Sequence, residues 1–266
     1  MSPCPCETAP LWVISPEMSR SLAVDVRDRY GRMAMTTLVP QRWTVSSEAG
    51  KAAGVPLALF IALAANAWHR ADPNDLDVLI ADRVNADSHG AVWAIANTLS
   101  YAASAGGVAV LTVAAGMYLW RRKHDVIAVA TVAASVGISA LLHMVTRPVI
   151  HRPGPHLADA SQGSVAFVFP AGHAAGFGAL ATIVALLIAA KRFPVRRPGP
   201  SIAVVAAVGI VASFVRVFAG AHFFTDAAGG LALGVGVACI VAALLPFLDG
   251  TFANKRGSSG TLAAPK

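Results

Sequence analysis

Charge is what this chain has least of. Only 13% of its 266 residues are Asp, Glu, Lys or Arg, about half of the roughly 25% typical of soluble domains. The apolar residues, 56% of the total, are gathered into long blocks, so the solvent for most of the chain is lipid. Cysteine is nearly missing: Cys4, Cys6 and Cys239 are too few and too scattered for a disulfide framework or a zinc site. Aromatic residues are sparse at 7%, and no basic stretch interleaves them in the manner of strand-binding surfaces. The net charge of +7 is therefore read as a topology signal, with no nucleic-acid partner expected. No apolar core closely follows the first basic residues, so no cleavable signal peptide is expected. Clustered carboxylates suited to a metal are also lacking, and neither metal nor cofactor is expected.

The apolar blocks are long enough to cross a bilayer, whose ~30 Å core takes about 20 residues of helix. Six segments qualify: Ala53–Trp68, Ala105–Trp120, Asp125–Met144, Ala171–Ala190, Ser201–Phe218 and Ala227–Leu248. Between the first two, Leu76, Leu79, Ile80 and Val84 recur at helical spacing with Asp among them. That pattern predicts an amphipathic helix lying on the interface, and a solvated loop helix packing on the bundle fits it equally. The expected fold is all-α, a six-transmembrane-helix bundle with one interfacial helix. Residues 1–50 are expected as a cytoplasmic arm, 51–249 as the membrane-embedded domain and 250–266 as a cytoplasmic tail.

Six crossings place the polar segments on alternating sides, and 16 of the 21 basic residues then share one side. Lys and Arg accumulate on the cytoplasmic side, so both termini are expected there. The other side holds Arg70, Arg83, Arg147, Arg152 and Arg216. Three of these five lie in or beside "TRPVIHRPGPH", "FPAGH" and "VRVFAGAHFFTDAAGG". Arginine beside a membrane segment usually faces a polar cavity and has a partner. His151, His156, His173, His222 and Asp226 belong to the same three stretches. The set reads as an anion site with titratable groups.

Spacing sharpens that reading. His222 and Asp226 are four apart and share a helical face. The carboxylate can accept the Nδ1 proton and leave Nε2 as a nucleophile, or the pair can simply cap the last span. His173 opens a helix after Pro170, Ala171 and Gly172, where free backbone N–H groups and the helix dipole favour a phosphate.

On these residues the chain resembles the type 2 phosphatidic acid phosphatase superfamily, which includes the vanadium haloperoxidases. That family carries K-x6-R-P, P-S-G-H and S-R-x5-H-x3-D in order. Here the third motif is Arg216, His222 and Asp226, with Val215 for Ser. The second is Pro170–His173, with Ala171 for Ser. The first aligns as "RPVIHRPGP", with Arg147 for Lys and Gly154 for Arg. The resemblance covers about residues 53–248 and implies a metal-independent lipid phosphatase. His222 would be the nucleophile, oriented by Asp226, and His173 the acid. Arg147, Arg152, Arg216 and Gly172 would hold the phosphate. The implied partner is a lipid phosphate substrate in the bilayer, polyprenyl diphosphate first and phosphatidate second. The implied location is a bacterial plasma membrane, with the site on its outer face. A family member that binds lipid phosphates without turnover is the alternative. A lipid transporter is weaker still, since no internal repeat is visible.

Overall fold

A computed structural model describes residues 48–70, 72–86, 90–155 and 167–259. The chain divides into Met1–Gln41 and Arg42–Lys266, and all described residues lie in the second unit. They form eight helices: α1 Gly54–His69, α2 Asp75–Ala86, α3 Ala91–Ala102, α4 Ala105–Lys123, α5 Val126–Ile150, α6 Gly172–Ala189, α7 Pro198–Phe218 and α8 Phe224–Ser259. One isolated antiparallel bridge joins Pro153 and Phe167. The all-α expectation is met.

Among the described residues, five helical stretches are long and apolar enough to cross a membrane: Glu48–His69, Val126–Ile150, Gly172–Ala189, Pro198–Phe218 and Phe224–Leu245. A sixth crossing is available if α3 and α4, bent by 55°, form one broken span. The sequence pattern places only the α4 half there. Ser104 makes the break, since its extended backbone stops α3 and its side chain caps Gly107 N of α4 at 3.4 Å. The first crossing also begins earlier than expected, at Glu48 rather than Ala53, and α8 runs past Leu248 to Ser259.

α6 and α8 form the centre, each with 67% of its most apolar window buried against protein, compared with 11% for the first crossing. Lipid is as apolar as leucine, so close packing rather than hydrophobic burial must hold helices together. Small residues supply it. A Cβ on Gly230 would overlap the carbonyl of Ala171, and one on Gly234 would overlap that of Ala175. The two backbones therefore touch along Ala171, Ala175, Gly230 and Gly234. On α5, Thr131, Ser135 and Ser139 donate to the carbonyls four residues earlier, so these buried hydroxyls leave no polar group unmatched.

α2 departs from its expected orientation. Ile80, Ala81 and Val84 turn partly inward, but so does Asp77, which is fully buried, while Leu76 and Leu79 are exposed. A buried carboxylate needs partners, and Asp77 has three. Its Oδ1 accepts from Thr225 N (2.9 Å), and its Oδ2 accepts from Thr225 Oγ1 (2.6 Å) and Arg152 Nη2 (2.6 Å). Arg152 Nη1 donates to Thr225 Oγ1 (2.7 Å) and Asp226 Oδ1 (2.8 Å), and the guanidinium lies 5.0 Å over the Phe223 ring. One cation thus joins α2, the turn after α5 and the start of α8.

Two stability outcomes follow, both read from unfolding in detergent. Gly234→Val should lower the midpoint steeply, whereas Gly137→Val, where an added Cβ meets nothing within 4 Å, should change it little. Similar shifts would show that α6 and α8 do not touch as described. Asp77→Ala leaves Arg152 short of a buried counter-charge and should cost about 3–5 kcal/mol. The exposed Asp82 is its control, and equal losses at the two positions would rule out the buried ion pair.

Candidate active site

Four helix ends converge beside this ion pair, and each end has a local cause. α7 closes in a Schellman turn: Ala221 N donates to Arg216 O and Gly220 N to Val217 O, both at 2.9 Å. Gly220 takes the left-handed conformation at φ 75°, which a side chain would disfavour. The chain then turns through His222 into α8, whose third residue, Asp226, accepts from Phe223 N at 3.0 Å. This is the reach-back half of a capping box. α6 starts at Gly172, and Ala171 N donates to the Asp226 carbonyl at 3.0 Å. That bond ties the start of α6 to the start of α8.

The result brings His173 and His222 together, with ring centroids 5.0 Å apart. His173 is buried, and its Nε2 lies 3.1 Å from Ser213 O. A carbonyl only accepts, so Nε2 carries the proton and Nδ1 is the free nitrogen. His222 has its Nδ1 buried with no partner, and Arg216 has its Nε in the same condition. The pKa of His222 lies well below 6.5, first because burial disfavours its charged form and then through the positive potential of His173, Arg216, Arg147 and His143. It is therefore neutral at pH 7, as a nucleophile must be.

The expected partnership of His222 and Asp226 is not what the structure contains. Both Asp226 oxygens are engaged elsewhere, one by Arg152 and one by Phe223 N. Of the two roles the spacing left open, the cap is the one observed. Asp226 acts on the residue next to His222 through the backbone rather than on the imidazole. Arg152 also differs from expectation. It is 2% exposed and tied to Asp77 and Asp226, because a buried guanidinium requires counter-charge. A phosphate would have to displace those carboxylates. Behind His222, a cavity of about 10 Å³ lined by Asp77, Val84, Pro155 and Phe223 has room for no more than about one water.

Among the other expected residues, Arg147 is half-buried and donates from Nε to Phe167 O. His151 is exposed, with its ring in an edge contact with Phe167 and its Nδ1 at Val149 O. His156 lies outside the described residues. Ala171 is fully buried in an apolar cluster with Ala174, Val217 and Ala227. Gly172 leaves space for a neighbour, since a Cβ there would lie 2.6 Å from His143 Nε2.

His143 is the residue that motif spacing passes over. It sits in α5 one turn before Arg147, with Nδ1 bonded to Pro170 O at 2.9 Å. Its Nε2 is left over the first residue of α6. The signal was present in "ALLHMVTR", a titratable side chain inside an apolar span, which is rare without a purpose.

Residues 127–248 match the PAP2 superfamily. Phosphatidylglycerophosphatase B of Bacillus subtilis (strain 168) is 30% identical over 129 residues, which is 47% of this chain and 61% of that relative, less than two thirds of its length. The crystal structure of a transmembrane PAP2-type phosphatidylglycerolphosphate phosphatase from Bacillus subtilis aligns with a TM-score of 0.57 and 21% identity, over 74% of this chain and 96% of that one. The shared fold is a membrane helix bundle. Residues 127–248, over which the chain is similar to the PAP2 superfamily, carry His143, Arg147, His173, Arg216 and His222.

Proposed function

We propose that this protein is an integral-membrane phosphatase that removes phosphate from a lipid phosphate monoester or diphosphate. The observation that carries the reading is the pairing of a neutral His222 with His173 among Arg147 and Arg216. Those arginines suit the equatorial oxygens of a phosphoryl group, where catalysis is mostly positioning and charge stabilisation. His222 Nδ1 is enclosed, so Nε2 attacks phosphorus and the bond to the lipid-side oxygen breaks. For this step His173 carries a second proton, on Nδ1, which passes to that oxygen while the Nε2 proton stays directed at Ser213 O. Water then attacks the phosphohistidine, returning a proton to His173 and releasing inorganic phosphate and free His222.

Asp226 is a positioning residue in this scheme, holding the Phe223 backbone and Arg152. His143 is a further candidate beside the phosphate. The name of the Bacillus subtilis relative puts phosphatidylglycerophosphate first in a substrate panel, ahead of polyprenyl diphosphate and phosphatidate. The exposed Leu76 and Leu79 of α2 give the site an apolar flank against which a lipid can approach. The engagement of Arg152 and the loss of a hydroxyl at Ala171 favour a second reading, a lipid-phosphate-binding protein without turnover. Phosphate release decides between the two.

His222→Ala should reduce phosphate release to background and abolish any trapped phosphoenzyme. Asp226→Asn keeps an acceptor for Phe223 N but loses the charge on Arg152. It should lower kcat by about 10–100-fold, the equivalent of one charge-assisted hydrogen bond. Wild-type rates in His222→Ala would eliminate the mechanism, and a loss in Asp226→Asn as complete as in His222→Ala would restore a direct role for the carboxylate.

The orientation belongs to the same proposal: both termini cytoplasmic, the histidine pair on the outer face. A supporting arrangement is that Arg192 pairs with Asp125 at the start of α5, which gathers the basic ends of α4 and α6 at the end of the bundle away from His173. A reporter fused after Lys266 should read cytoplasm, and one inserted between 156 and 164 should read the exterior. The reverse pattern would overturn the placement.

A further inference from the structure

The end of the bundle opposite the histidine pair carries a second concavity. At 1.5 Å per residue, Val184 stands about 16 Å along α6 from His173. There a groove of about 660 Å³ opens between α6 and α7, floored by Val184, Ile188, Val195 and Val204 and rimmed by Arg196 and Arg197.

The segment that carries these arginines is firmly held. Lys191 turns the chain at φ 57°, and Arg192 N and Phe193 N both donate to Leu187 O. Arg192 makes a two-pronged contact with Asp125 at 2.8 and 2.9 Å. Tyr118 OH donates to Pro194 O at 2.8 Å, and the Tyr118 ring stacks on Phe193 at 5.1 Å. Arg192 is thus engaged, while Arg196 and Arg197 stand exposed on a fixed support. α7 then begins Pro198–Gly199–Pro200 with no side-chain cap, so its positive end adds to the same rim. Along α7, the exposed Val204, Val208 and Val211 continue the apolar floor one turn at a time.

We propose that this groove binds an anionic diacyl phospholipid of the surrounding bilayer. Its phosphate lies between Arg196 and Arg197, and an acyl chain follows Val204 and Val208. Charge complementarity selects the occupant. Two guanidiniums beside an apolar channel match a headgroup with net negative charge, whereas a zwitterionic headgroup brings its own cation to the same rim. The site is separate from the histidine pair and does not rest on the phosphatase reading.

The test uses the purified full chain in neutral detergent, titrated with dioleoylphosphatidylglycerol or dioleoylphosphatidylcholine. Native mass spectrometry reads retained lipid, and thermal unfolding reads Tm. The phosphatidylglycerol should be retained and should raise Tm, and the phosphatidylcholine should do neither. Arg196→Gln/Arg197→Gln should weaken retention about tenfold or more. Arg147→Gln, at the other end of the bundle, should keep it, which separates the groove from any lipid held by the histidine site. Val204→Trp fills the channel without touching charge and should weaken retention as well; it decides the matter if the double glutamine variant fails to fold. Equal retention of the two lipids would overturn the proposal, as would unchanged retention in the groove variants. An equal Tm rise with glycerol phosphate alone would also overturn it, in favour of a simple anion site.

Discussion

Arg152 sits where two fully buried carboxylates, Asp77 and Asp226, need one cation between them. None of the three is affordable alone in so apolar a molecule, because a buried charge without a partner costs several kcal/mol. Together they dictate the local architecture. Asp77 holds the interfacial helix against the bundle, Thr225 is bonded from three directions, and Asp226 is left with one oxygen to cap Phe223. The position of His222 depends on that cap, since it is the residue immediately before Phe223.

A second constraint acts at right angles to the first. α6 and α8 approach until backbone meets backbone, because Gly230 and Gly234 leave nothing between them and Ala171 and Ala175. This contact sets the height of His173 relative to His222, and the bond from Ala171 N to the Asp226 carbonyl locks it. The ring separation of 5.0 Å therefore results from packing along the whole interface rather than from any direct bond between the imidazoles.

The two ends of the bundle differ in how they treat cations. At the histidine end Arg152 is enclosed and paired, and Arg216 is half-buried with an unmatched Nε. At the opposite end Arg192 braces a segment that leaves Arg196 and Arg197 in the open. Of these, Arg216 keeps an N–H free for a substrate drawn into the site, while Arg152 is spent on its two carboxylates. Exposed ones on a rigid support meet whatever anions the headgroup layer offers.

Much of this was legible in the sequence. Low charge and apolar blocks determined a membrane helix bundle, and the motif order picked out His173, Arg216, His222 and Asp226 as neighbours. Periodicity found α2, because a helix on an interface must alternate its faces. Pairwise spacing could say that Asp226 shares a face with His222, but not that Arg152, 74 residues earlier, would claim the carboxylate. Asp77 looked like one more solvated acid on a polar face, and only the seating of α2 turned it inward. His143 carried its signal in an apolar run, but its place over Gly172 required α5 and α6 to be packed. The sequence alone thus determined the class of fold and the chemical types gathered at one end. The tertiary structure decided which charges pair, because a buried charge takes its partner from wherever the packing brings one, without regard to distance along the chain.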